Sequence, residues 1–158
     1  MAPHFAGLFF SGKIAPNQIS TGAITMPTVK LVDENTTEPR VRAVFDDIKA
    51  VRNVEHISAI WRALAANPEH LELCWAQVKA IMKPGVLDMK TKEMIAAAVS
   101  ITNGCNYCIN SHLAAAQKFG LDAEGMRELL AVVGLYNQFN KLVFGLQIEP
   151  DVFPKVDA

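Results

Sequence analysis

From Val41 to Phe144, apolar residues recur at intervals of three and four, the repeat of a helix that buries one face. No run alternates with the period of two that a half-buried strand needs, and no paired runs flank a hairpin turn. The punctuation is helical as well. Glu38-Pro39 opens a segment in which Val41, Val44, Phe45 and Ile48 form a stripe, and His56 to Ala66 follows with Ile57, Ile60, Trp61 and Leu64 on one face. Asn67 can cap and Pro68 suits a first helical position, which starts a helix carrying Leu71, Cys74, Trp75, Val78 and Ile81 and ending at Lys83-Pro84-Gly85. Asp88 caps a helix from Met89 to about Thr102, with Ile95, Val99 and Thr102 expected inward and alanines allowing close approach. Asn103-Gly104 ends it, and Gly120 ends the next, which runs from Cys105 to Phe119. Asp122 caps a helix through Val133, and Tyr136 to Phe144 extends or follows it. The expected fold is therefore all-α, a bundle of about six to eight helices.

A chain of 158 residues suggests one domain able to bury its own core. Residues 28–158 are expected to form it. Residues 1–27 read as an N-terminal arm, poorly ordered or wrapped on a partner subunit, because their apolar stretch lacks the basic start of a signal peptide. No stretch of eighteen residues is apolar enough to suggest a membrane span. A net charge of −1 with no basic stripe gives nucleic-acid binding little electrostatic support. Three cysteines are too few, and odd in number, for a secreted disulfide framework. A reducing cytoplasm is the expected setting, and there a C-x-x-C pair implies catalysis or metal binding.

That pair is Cys105-Asn-Tyr-Cys108, with His112 one helical turn beyond the second cysteine. Both cysteines fall near a helix N-terminus, where unpaired N–H groups and the helix dipole favour a thiolate, and no acidic residue lies between Cys105 and Asp122. If the helices on either side of Asn103-Gly104 form an antiparallel hairpin, a rise of about 1.5 Å per residue sets Glu93 roughly level with His112. Glu93, His112 and Cys108 then line up as a proton relay, with the carboxylate fixing the imidazole and the imidazole accepting the thiol proton. A thiolate that attacks a hydroperoxide becomes a sulfenic acid, which a neighbouring cysteine captures as a disulfide.

The pattern Glu93, eleven residues, Cys105-x-x-Cys108, three residues, His112 resembles the signature of the alkyl hydroperoxidase D-like branch of the carboxymuconolactone decarboxylase family. The resemblance spans roughly residues 38–149, including a last helix that bears Asn137 and Asn140. It implies an all-helical subunit in a trimer or hexamer, with the active site in a helical pocket near subunit contacts. It also implies that Cys108 attacks the peroxide, Cys105 resolves the product and meets the reductant, and Glu93 and His112 relay protons. Where well-studied members carry a histidine just before the second cysteine, this chain has Tyr107, a candidate for lining the substrate pocket.

The expected function is thus a cysteine-dependent peroxidase or disulfide reductase that needs no cofactor. Its expected partners are a small hydroperoxide and an external dithiol reductant of lipoyl or thioredoxin type. A redox-responsive, stress-linked binding protein with little turnover is the alternative, and a lactone decarboxylase-like enzyme a more distant one.

Other readings compete at single residues. The cysteines with His112 supply only three ligands of a structural zinc site. Cys74 reads as a small buried hydrophobe and Trp61 and Trp75 as core, while His4, His56 and His70 read as surface or cap residues.

Overall fold

The computed structural model describes residues 27–155, so His4 and almost all of the N-terminal arm lie outside the described residues. Six helices and no strand occur among the described residues: α1 (Pro39–Arg52), α2 (Ala59–Leu64), α3 (Pro68–Ile81), α4 (Met89–Thr102), α5 (Asn106–Lys118) and α6 (Ala123–Gly145). No helix among them is long and apolar enough to cross a membrane. The described residues divide into two compact units, one up to Leu73 and one from Cys74.

In the first unit, α1 starts where Glu38 caps it, its carboxylate accepting from the Val41 N–H at 2.6 Å, with Pro39 at the first position. Val41, Val44, Phe45 and Ile48 are all buried, as the stripe requires. The second helix is shorter than the spacing suggests. His56, Ile57 and Ser58 precede it, and Glu34 claims this segment by accepting from the Ile57 N–H at 2.9 Å and meeting His56 Nδ1 at 3.1 Å. Ile57 is still buried, as is Trp61, but Ile60 is exposed, since six residues cannot turn four apolar side chains to one side. His56 is therefore a surface residue with a carboxylate partner.

In α3, Asn67 accepts from the His70 N–H at 3.2 Å, the cap expected of it. Leu71 and Trp75 are buried, Cys74 and Val78 only half-buried, and Ile81 is exposed at the last position of the helix.

The second unit is built on the hairpin of α4 and α5. Asp88 caps α4 by accepting from the Thr91 N–H at 2.7 Å. Lys92 reaches back from the first turn of α4, its ammonium donating to the carbonyls of Ile81 and Lys83 at 2.7 Å each. Those carbonyls sit at the end of α3, where helix geometry leaves oxygens without a backbone partner. The hairpin turns at Gly104, whose φ of +70° lies in the left-handed region open to glycine. The Cys105 N–H then bonds the Ser100 carbonyl at 2.9 Å and closes the turn.

The inward face of α4 is not the one expected. Ile95 and Val99 are about half exposed and Thr102 is exposed, whereas Glu93, Ala97 and Ser100 are buried. Small side chains decide the rotation: Ala97 of α4 and Ala116 of α5 are fully buried in one cluster with Leu121, Leu129 and Val133. Two alanines let helix axes approach closely, which β-branched Val99 would not. The final helix is continuous from Ala123 to Gly145, its start capped by Asp122 on the Gly125 N–H at 2.8 Å. It docks on α4 through the same cluster and through Asn137, which donates to Thr102 Oγ1 at 3.1 Å.

Candidate active site

The four side chains singled out by spacing form two pairs on the α4–α5 hairpin, Cys105 with Cys108 just after its turn and Glu93 with His112 farther along its seam. Glu93 projects from the first turns of α4 into the interface and is 3% exposed, which removes it from the role of a simple helix-end charge. His112, on the second turn of α5, places Nδ1 2.7 Å from Glu93 Oε2. A carboxylate oxygen only accepts, so Nδ1 carries the proton of this bond and Nε2 is left free to accept one. A buried carboxylate with a short imidazole partner is the arrangement that fixes a histidine's tautomer and orientation.

Cys105 lies just before α5 as its cap residue, rather than inside the first turn. Its sulfur accepts from the Cys108 N–H at 3.3 Å, in the position that a serine or aspartate oxygen normally takes. Both cysteines are free thiols and half-buried, and their sulfurs stand 2.6 Å apart. Closing a disulfide of about 2.05 Å from there needs a shift of only a few tenths of an ångström from each sulfur.

The two sulfurs do not share the thiolate equally. Cys105 is held below the ordinary thiol pKa, first by the Cys108 thiol donating to its sulfur and then by the backbone N–H groups of Cys108 and Tyr107. Cys108 is pushed up by that same bond, by burial and by the neighbouring charge on Cys105, and a hydrogen bond from the Ser100 side chain works the other way. Position along the helix suggested a thiolate-favouring effect at both; the cap geometry concentrates it on Cys105, because only that sulfur faces the free N–H groups.

Tyr107 is about half exposed beside the pair, its backbone carbonyl accepting from the Ser111 hydroxyl at 2.9 Å. A cavity of about 440 Å³ lies between α4 and α6, lined by Val99, Thr102, Tyr136, Asn137 and Asn140 among others, and Tyr107 is not among its residues. Among the described residues no group of three or more histidine, cysteine, aspartate or glutamate side chains is gathered so as to hold a metal ion. The spacing did not single out Ser100, although a buried serine inside an apolar helix, two turns from Glu93 on the same face, was the available signal.

The chain is similar to the alkylhydroperoxidase AhpD core from Rhodospirillum rubrum ATCC 11170, with a TM-score of 0.77 and 47% identity over 80% of this chain and 95% of that one. It is also 35% identical over 54 residues to "Uncharacterized protein 4 in cox locus" of Paracoccus denitrificans, and spans about half the length (49%) of that curated relative. The model of the carboxymuconolactone decarboxylase family matches residues 68–148, more than half of the chain and all of the hairpin that carries Glu93, Cys105, Cys108 and His112. The chain belongs to the carboxymuconolactone decarboxylase family, in its alkyl hydroperoxidase D-like branch.

Proposed function

We propose that this protein is a cysteine-dependent peroxidase that reduces an organic hydroperoxide and is itself recycled by an external dithiol. The observation that carries this reading is the dithiol at the head of α5, its sulfurs 2.6 Å apart, on the same helical hairpin as a His112–Glu93 pair held at 2.7 Å. The similarity to an alkylhydroperoxidase core supports it.

Cys108 loses its proton to His112 Nε2, one turn along α5, and its thiolate attacks the terminal oxygen of the peroxide. The O–O bond breaks, Cys108 becomes a sulfenic acid, and the departing alkoxide takes the proton back from His112 to leave as an alcohol. Glu93 keeps the imidazole oriented and stabilises its charged form. The Cys105 thiolate then attacks the Cys108 sulfur, an S–S bond forms, and the hydroxyl leaves as water after protonation. A dithiol of lipoyl or thioredoxin type attacks Cys105 and returns both sulfurs to the reduced state, becoming a disulfide itself. Tyr107 lies beside this pair and is the candidate for contacting the peroxide's organic part.

The lowered pKa of Cys105 favours a second reading of the same dithiol. Cys105, the more exposed to backbone donors, would be the better nucleophile toward a disulfide, so disulfide reduction accompanies or replaces peroxide reduction.

Peroxide loss from reduced protein and an organic hydroperoxide, with dithiol in excess, tests the first reading. Wild type should consume peroxide well above the dithiol-only rate, and Cys108→Ser should abolish this. Cys105→Ser should form one sulfenic acid per chain and stop. Loss no faster than dithiol alone would move the weight to a redox-responsive protein with little turnover. Alkylation against pH separates the sulfurs: Cys105 should gain reactivity as pH rises through a midpoint below the ordinary thiol value, and Cys108 only above it. The reverse order would remove the support for the disulfide reading.

A further inference from the structure

We propose that the head of α5 is a redox-sensitive helix cap: the reduced Cys105 sulfur holds the first turn of the helix, and closing the Cys105–Cys108 disulfide releases it. Four other helices start with the same kind of contact, a side-chain oxygen accepting from the N–H three residues on. Glu38 accepts from Val41 at 2.6 Å, Asn67 from His70 at 3.2 Å, Asp88 from Thr91 at 2.7 Å and Asp122 from Gly125 at 2.8 Å. In α5 the acceptor is the Cys105 sulfur, 3.3 Å from the Cys108 nitrogen. The residue that caps and the residue that is capped are therefore the two halves of the dithiol, their sulfurs 2.6 Å apart. An oxygen cap does not respond to oxidants; this one does.

As the disulfide forms, the two thiols give up two protons and two electrons, the electrons passing to a hydroperoxide or to an external disulfide. Beforehand the Cys105 sulfur is a good acceptor, because the Cys108 thiol and then the backbone N–H groups favour its charged form, and a charged acceptor makes the stronger bond. Afterwards the sulfur carries no charge and is bonded to a second sulfur. The Cys108 N–H and the positive end of the helix dipole then lose the anion that faced them.

The surroundings confine the change to the first turn. The Cys105 N–H stays tied to the Ser100 carbonyl at 2.9 Å, its carbonyl accepts from the Ile109 N–H at 2.9 Å, and Ala116 is fully buried farther along α5. What loosens is the stretch from Asn106 to Cys108, whose Asn106 and Tyr107 side chains are exposed. An external dithiol has to reach Cys105 from the side away from Cys108, in line with the S–S bond, and a loosened turn gives it room. One of its sulfurs bonds to Cys105, the S–S bond breaks and the electron pair leaves on Cys108. Its second sulfur then displaces Cys105 as a thiolate, the reductant departs as a disulfide, and the cap re-forms. Holding the reduced form in this way makes the disulfide easier to reduce.

The switch belongs to the dithiol of the proposed peroxidase, but its test needs no peroxide. Hydrogen exchange of the Cys108 amide would be read by NMR, as a protection factor, in protein reduced with dithiothreitol and in protein oxidised with glutathione disulfide. Mass spectrometry selects oxidised chains that have lost two hydrogens and carry no glutathione. Protection at Cys108 should fall on oxidation by about 2- to 30-fold, the span that a helix cap contributes. The Gly125 amide, capped by the Asp122 oxygen, should not change. Equal or greater protection of Cys108 in the oxidised protein overturns the proposal, and so does an equal fall at Gly125, which would mean a general loosening. Cys105→Asp, kept reduced, replaces the sulfur by an oxygen cap and should protect the Cys108 amide at least as well as reduced wild type. Lower protection there, with Gly125 unchanged, removes the cap and overturns the proposal. If that variant does not fold, the two states of wild type decide alone. Peroxide turnover without a redox change at Cys108 removes the switch and leaves the peroxidase; a redox change without turnover leaves the switch and removes the peroxidase.

Discussion

Glu93 gains its meaning only from its neighbour. A carboxylate with 3% exposure is costly unless it is paired, and its partner is the Nδ1 of His112 at 2.7 Å. Replacing it by Gln keeps the shape and a hydrogen bond but removes the charge that stabilises an imidazolium. Glu93→Gln should therefore lower the peroxide rate by about 10- to 100-fold, less than the roughly 100- to 10,000-fold contributed by a general acid–base group itself, with a small change in KM. Steady-state rates of the folded variant measure this; an unchanged kcat would remove Glu93 from the relay. Cys105, Cys108 and His112 stood out in the sequence by their C-x-x-C spacing with a histidine one turn on, and Glu93 joined them as a candidate through the family resemblance. The division of labour between the sulfurs was not legible there, because it depends on which sulfur faces the N–H groups of Tyr107 and Cys108, and chain position alone places both near the same helix end.

The helices show where propensity suffices and where it does not. Caps at Glu38, Asn67, Asp88 and Asp122 are local, each made within three residues, and they occur where the sequence places them. The rotation of α4 is not local: Ile95 and Val99 look like an inward stripe until Ala97 meets Ala116. The long reach of Lys92 is equally invisible in a periodicity, since it joins the start of α4 to the Ile81 and Lys83 carbonyls across the Pro84-Gly85 turn. Lys92→Met keeps the apolar stem and removes both charge-assisted bonds. It should cost about 1–2 kcal/mol of stability, partly offset by water reaching the freed carbonyls. Urea unfolding would show it as a lower midpoint at constant slope, and no change would mean that solvent already serves those oxygens.

Across the whole molecule the surface of α6 carries a continuous apolar load. Leu135, Tyr136, Phe139, Leu142, Val143 and Phe144 are each between 45% and 83% exposed, and large apolar side chains grouped on one surface are a mark of an interaction site. Together with the trimer or hexamer that the family resemblance implies, this leads us to propose a homo-oligomer in which α6 meets other copies of the chain. Light scattering should give a mass that is a multiple of 17.3 kDa, and Phe139→Glu should shift it toward the single chain. A wild-type mass of one chain would remove the proposal.

By itself the sequence determined the helical class and most helix starts and stops, because each follows from a repeat or a cap that neighbouring residues enforce, and its family resemblance singled out Glu93, Cys105, Cys108 and His112 as site candidates. Only the tertiary structure decided which face of α4 is buried, which cysteine sulfur faces the backbone N–H groups at the head of α5, and that the Cys105 N–H closes the turn on the Ser100 carbonyl. Those are matters of which atoms approach across the α4–α5 seam, and that approach is set by the size of alanines on two different helices.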